Sequence, residues 1–187
     1  MHHSIYREIP PQGIYFEALV EEAFRRARIP FIPVEPTSRN VPKHDIMVGG
    51  VRLSIKTETG YGTNPDYIYI TKLCTTEKDP WEAKALIDHV MHHLTGYDCI
   101  LMLRSVWDRP VIHYQLLEIP MDLLRLVETA KLVEVGKARS RRSLGADIFQ
   151  AEKKIFHVHF DGSDGKCQIR KLPVSECQLL ATWDVQI

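Results

Sequence analysis

Apolar and polar positions along the chain change period several times, and each change marks an element. From Gly13 to Ile29 the apolar residues Phe16, Leu19, Val20, Ala23, Phe24 and Ala27 recur at helical spacing, and Pro10 and Pro11 just ahead of them mark a helix start. The segment IPFIPVE at 29–35 predicts a strand with proline at its edges. HDIMVGGVRLSIKTETG at 44–60 predicts a tight hairpin, and YIYITKL at 67–73 another strand. DPWE at 79–82 opens a second helix, with Asp79 as N-cap, Pro80 in the first turn and Glu82 as capping-box partner. That helix runs through Ala85, Leu86, Val90 and Leu94 to Gly96. DCILMLRSV at 98–106 and PVIHYQLLEI at 110–119 read as strands, and a third helix is expected from Met121 to Glu134. The basic GKARSRRSLG at 136–145 reads as a loop. KIFHVHFDGSDGKCQIRKL is a hairpin with a turn at DGSDG, and LLATWDVQI a last strand. The order predicts an α/β protein: a mixed central β-sheet flanked by helices, with a C-terminal β-hairpin elaboration.

Composition narrows this picture. A chain of 187 residues, 44% hydrophobic and 26% charged, suits a single domain spanning 1–187 that buries a real core. Its 24 Lys and Arg balance 24 Asp and Glu, so any attraction to nucleic acid must be local. Cys74, Cys99, Cys167 and Cys177 form no CxxC pair and read as reduced thiols. No stretch approaches the roughly 18 consecutive apolar residues that span a bilayer, so a soluble, cytoplasmic protein without a membrane partner is expected.

The hairpin at 44–60 holds the candidate chemistry. A two-residue Gly49-Gly50 loop makes facing residues sum to 99, so Ile46 faces Leu53 and Asp45 faces Ser54. Alternation then puts Ile46, Val48, Val51, Leu53 and Ile55 on one face and Asp45, Met47, Arg52, Ser54, Lys56 and Glu58 on the other. Asp45 and Lys56 become diagonal neighbours with Cα atoms about 7–8 Å apart, close enough to act on one phosphate. The plain alternative is a cross-strand ion pair worth under about 1 kcal/mol.

Asp45 on one strand and Ser54-x-Lys56 on the next, with a helix before them and a helix and strand after, resemble the PD-(D/E)XK nuclease superfamily, to which most type II restriction endonucleases belong. The resemblance covers roughly residues 13–106 and implies a restriction-endonuclease-like core. His44 stands where the family has proline, and Ser54 where it has a second acid. What the resemblance implies is Mg²⁺-dependent hydrolysis of DNA phosphodiesters. Asp45 and the Ile55 backbone carbonyl would be metal ligands, and Lys56 would hold or polarise the attacking water. The family's first-helix glutamate maps onto Glu17, which lies on the border of the apolar stripe, whereas Glu22 points to solvent. Some Ser-x-Lys enzymes take the missing acid from a downstream position. Glu58, Glu77 and Glu82 are the candidates here; Glu58 is preferred for its face, and Glu82 has a ready role in helix capping.

A homodimer, or a partner subunit, would cut both strands of double-stranded DNA. Residues 107–187 would then serve recognition and dimerisation, with Lys137, Arg139, Arg141, Arg142, Lys166 and Arg170 as the cationic contacts. His89, His92 and His93 lack an HExxH acid and read as a helix face, while His157 and His159 read as exposed hairpin residues fit for polar contact with a ligand. Two rivals remain open. One is a non-catalytic DNA-binding or assembly protein that kept the fold and lost the acid at 54. The other is a repair or recombination nuclease.

Overall fold

The computed structural model describes His3 and residues 9–33, 44–76, 80–136 and 141–187; Asp79 and Glu77 lie outside the described residues, as do Lys137 and Arg139. The elements are α1 (Gly13–Ala27), β1 (Phe31–Pro33), β2 (Ile46–Val48), β3 (Val51–Glu58), β4 (Tyr67–Thr75), α2 (Ala83–Leu94), β5 (Cys99–Asp108), β6 (Val111–Ile119), α3 (Met121–Arg125), β7 (Val133–Val135), β8 (Ser143–Gln150), β9 (Lys153–Phe160), β10 (Lys166–Pro173) and β11 (Gln178–Gln186). They build a mixed α/β fold of two sheets. The central one has the order β1-β2-β3-β5-β6-β11 and the second β4-β10-β9-β8-β7. β3 and β5 run parallel, as the crossover through α2 allows, and every other pair is antiparallel.

α1 covers one face of the central sheet. Phe16 packs with Ile46, Ile55, Leu103, Ile112 and Tyr114, with Val20 and Phe24 at the margin. Leu19, expected inward, is 50% exposed, so the buried stripe of α1 is narrower than its apolar periodicity. The opposite face, carrying Ile100, Met102, Leu117 and Ile119, meets α2 through Leu86, Val90 and Leu94, and meets the second sheet through Ile68, Phe156, Phe160 and Ile169. α2 starts at Ala83 with Glu82 as its N-cap residue, later than the DPWE signature suggests.

The YIYITKL strand forms as β4 and pairs with β10, where its apolar Ile68 and Ile70 face Leu172 and Ile169. Two further expectations change. The helix expected over Met121–Glu134 stops at Arg125 and tightens into a 3-10 turn at Leu126–Thr129. Once Leu123, Leu124 and Val127 are buried, Val133–Val135 pairs with Ser143–Gly145 of β8, and tertiary pairing overrides helix propensity. The C-terminal hairpin is one part of a five-stranded sheet, and the SLG end of the basic segment is strand. The last strand, β11, returns to the central sheet beside β6.

Where β3 hands the chain to β4, Arg104 of β5 is 0% exposed. Its Nε donates to Glu58 Oε2 at 2.7 Å and its Nη1 to Gln115 Oε1 at 2.8 Å. Its Nη2 donates to the carbonyls of Asn64 and Tyr67, the latter at 2.9 Å. Glu58 Oε1 accepts the Tyr69 amide at 3.1 Å. Removing one partner of a buried ion pair strands the other, at about 3–5 kcal/mol. Glu58→Ala is therefore expected to lower the melting temperature by about 6–20 °C, at about 2–4 °C per kcal/mol for a chain of this size. A fall of under about 2 °C in a circular-dichroism melt would show that the guanidinium is satisfied without Glu58.

Candidate active site

The β2–β3 hairpin forms because Gly49 and Gly50 take φ of 57° and 85°, the left-handed pair that a type I′ turn needs. The register is Val48↔Val51, Met47↔Arg52 and Ile46↔Leu53, as the sum of 99 requires. Beyond it, the Asp45 amide donates to the Leu53 carbonyl at 2.7 Å, and the Asp45 side chain turns over β3. Asp45 Oδ2 accepts the Ile55 amide at 2.6 Å and the Ser54 hydroxyl at 3.3 Å. Lys56 Nζ donates to Ser54 Oγ at 3.0 Å and reaches the Ile55 carbonyl at 3.4 Å. The serine thus stands between acid and base, linking them through one hydroxyl. Ser54 is only 2% exposed, although it lies on the face expected to meet solvent. The α2 and second-sheet side of the molecule covers that face, so β3 is buried on both sides around Leu53, Ser54 and Ile55.

Burial sets the electrostatics. Lys56 is half-buried, and desolvation holds its ammonium below the ordinary lysine range; Asp45 and Glu17 act against this, and Lys72 adds to it. Glu17 on α1 is pushed up, chiefly by burial and next by the charge of Asp45, while Lys56 pulls it down. Glu22 instead pairs with Arg25 and Arg26 on the outer surface, which holds it low. Helix rotation therefore selects Glu17 as the acid that the hairpin feels.

The other expected site residues are placed as follows. Glu58, expected as a stand-in metal acid, has both oxygens committed to Arg104 and the Tyr69 amide, and burial rather than Lys56 dominates its electrostatics. Arg141 stacks over Trp81 at 3.6 Å from the ring centroid, and Arg142 pairs with Glu134, so both hold the second sheet's margin. Lys166 pairs with Asp164 in the turn after β9, and Arg170 is half-buried, held by Gln168 Oε1 at 3.0 and 2.7 Å. His157, half-buried, hydrogen bonds Asp147 at 2.7 Å, and His159, expected exposed, is 8% exposed on the central strand β9, between Gly145 of β8 and Gln168 of β10. His93 sits edge-on to Tyr97 and is held near pKa 4, chiefly by burial.

Two residues escaped the sequence reading, Arg104 and Lys72. For Lys72 there was a signal. The alternation Ile68, Ile70 of β4 calls for an apolar side chain at 72, and lysine there marks a break in the strand.

A half-buried ammonium flanked by two carboxylates, with a hydroxyl between, can hold a water molecule and stabilise negative charge that develops beside it. Asp45, Glu17 and the Ile55 carbonyl are all oxygen donors, a set suited to a hard divalent cation completed by water and substrate oxygens. Burial raises Glu17 most, and the repulsion from Asp45 that adds to it is what a cation near the two acids would relieve. Among the described residues no group of three His, Cys, Asp or Glu side chains is placed to hold a metal unaided.

Comparison with known proteins bears on this arrangement. A family model described as SmaI, type II site-specific deoxyribonuclease, matches residues 1–185. Over 151 residues the chain is 31% identical to the type II restriction enzyme SmaI of Serratia marcescens, a match covering 79% of this chain and 61% of the relative. The chain thus spans about three fifths of that relative's length. No solved structure matches the chain.

Proposed function

The chain belongs to the SmaI family of type II site-specific deoxyribonucleases, and from that premise we propose that it cuts double-stranded DNA at a fixed sequence by Mg²⁺-assisted phosphodiester hydrolysis. The observation that carries this reading is the Asp45–Ser54–Lys56 chain of hydrogen bonds, with the Glu17 carboxylate in electrostatic reach. It supports reading the site as a PD-(D/E)XK arrangement in its Ser-x-Lys form, with Glu17 from α1 in place of the acid missing at 54. Glu58 has no metal role in this scheme.

Asp45, Glu17 and the Ile55 carbonyl would hold the metal, which when bound lowers the pKa of water and neutralises charge on the phosphate. Lys56 Nζ orients the attacking water and offsets the negative charge that grows on the phosphate oxygens. Ser54 fixes the Lys56 ammonium through Oγ, and the Ile55 amide fixes the rotamer of Asp45. The second acid is thus moved from the strand to the helix, and a neutral hydroxyl occupies the most buried position.

Residues 13–106 form the catalytic core in this reading, and 107–187 serve DNA recognition and dimerisation, with Lys166 and Arg170 as phosphate or base contacts. A homodimer cuts the two strands, and the enzyme works in the cytoplasm; no helix among the described residues is long and apolar enough to cross a membrane.

Three outcomes follow. Asp45→Ala and Lys56→Ala are each expected to lower plasmid cleavage at least about 100-fold with the fold intact, the scale of removing one charge-stabilising group. If the wild type yields no discrete fragments from varied DNAs with Mg²⁺, the chain is a non-catalytic DNA-binding member of its family. Chelation with EDTA is expected to stop cleavage and added Mg²⁺ to restore it, whereas cleavage in EDTA would rule out the metal role. Glu17→Gln is expected to raise the Mg²⁺ concentration for half-maximal cleavage by about 10- to 100-fold; an unchanged requirement would remove Glu17 from the metal set.

A further inference from the structure

Lys72 lies on a break in the β4–β10 ladder. Cys74 pairs with Cys167 and Ile70 with Ile169, so a step of four residues on β4 faces a step of two on β10. Two residues of β4 are therefore extra, and the strand bulges across Thr71 and Lys72. A bulge re-aims side chains, and bulges recur beside active sites. Here it takes Lys72 off the buried face to which alternation assigns it: Ile70, Leu73 and Cys74 are buried, and Thr71 and Lys72 are exposed.

The bulge opens onto β3. A cavity of about 170 Å³ is lined by Lys56 and Thr57 of β3, by Thr71 and Lys72 of β4, and by Gly13 at the start of α1. Ile70 and Met102 are among its apolar walls. Among the described residues no carboxylate lines it. Two lysines and two threonines line it, and Lys72 makes no hydrogen bond or ion pair among the described residues, whereas Lys56 is tied to Ser54. The charge of Lys72 also disfavours the ammonium of Lys56, though less than Asp45 and Glu17 favour it. Side-by-side lysines carry an electrostatic penalty that an anion between them removes.

We propose that this cavity is a phosphate seat, in which Lys72, aimed by the β4 bulge and assisted by the Thr57 and Thr71 hydroxyls, holds a backbone phosphodiester of the bound DNA beside Lys56. The inference rests on the nuclease reading of the Asp45–Lys56 site and adds to it a second cation from the other sheet. A substrate held there is gripped by both sheets at once.

The test measures duplex binding by fluorescence anisotropy in Ca²⁺ over a series of salt concentrations, alongside cleavage in Mg²⁺, for wild type, Lys72→Gln, Lys72→Arg and Lys84→Gln. Lys84 is exposed on α2 and serves as a charge-matched control. Lys72→Gln is expected to weaken binding about tenfold and to reduce the slope of log K against log salt by about one, the signature of one lost phosphate contact. Lys72→Arg should keep most of the affinity and the slope, and Lys84→Gln should match wild type. Wild-type binding with an unchanged slope in Lys72→Gln overturns the phosphate seat and leaves the nuclease reading standing. A wild type that neither binds nor cuts duplex DNA overturns both. An equal loss in Lys84→Gln also overturns the seat, because only the net charge would then matter.

Discussion

The buried guanidinium of Arg104 is the constraint on which the layout of this protein depends. It takes its partners from four stretches of chain: Glu58 at the end of β3, Asn64 in the connection, Tyr67 at the start of β4 and Gln115 on β6. The first three mark the place where the chain leaves the central sheet for the second one, and Gln115 ties it to β6. Five donors in a rigid planar fork suit such a junction, because each N–H can be aimed at a different strand. A buried ion pair adds little net stability over an apolar substitute, but it fixes partners on both sheets relative to one another. It ties the end of β3 to the start of β4, on the strand where Ser54 and Lys56 are covered.

That covering explains the serine. A carboxylate at position 54 would be a second buried anion beside Asp45, on a strand packed on both faces, and the two would repel at low dielectric. The hydroxyl accepts from Lys56 and donates to Asp45, so it passes orientation between them without adding charge. Glu17 is held by a helix at the edge of the sheet and keeps contact with solvent, where its charge is cheaper to maintain.

Local chemistry was legible in the sequence where it decides local structure. Gly49-Gly50 set the register of the hairpin, and with it the neighbourhood of Asp45, Ser54 and Lys56, without help from the rest of the chain. The rotation of α1 separated Glu17 from Glu22 for the same reason. What stayed hidden depends on distant pairing. β4 finds its partner in β10, with Cys74 facing Cys167, 93 residues away, and nothing in YIYITKL names that partner. Ser54 is buried by elements that local alternation cannot see, and His159 by its place on a strand paired on both edges. Glu58 looked like a candidate acid because Arg104, 46 residues on, cannot be matched to it by spacing. The end of the third helix was lost to an edge pairing between Val133–Val135 and β8, a competition that periodicity does not register.

The route of the chain has a kinetic consequence. β4 belongs to a sheet otherwise made after residue 132, and β11 returns to a sheet whose other strands are complete by residue 119. Neither sheet can close its pairing until the far end of the chain has been made, because β4 must wait for β10 and the edge of β6 for β11. Loops of roughly 90 and 60 residues have to be closed before either contact rewards the ordering, which places folding at the slow, high-contact-order end of the range. During synthesis α1 and the hairpin carrying Asp45 and Lys56 therefore emerge early, and the second sheet that covers the other face is completed late.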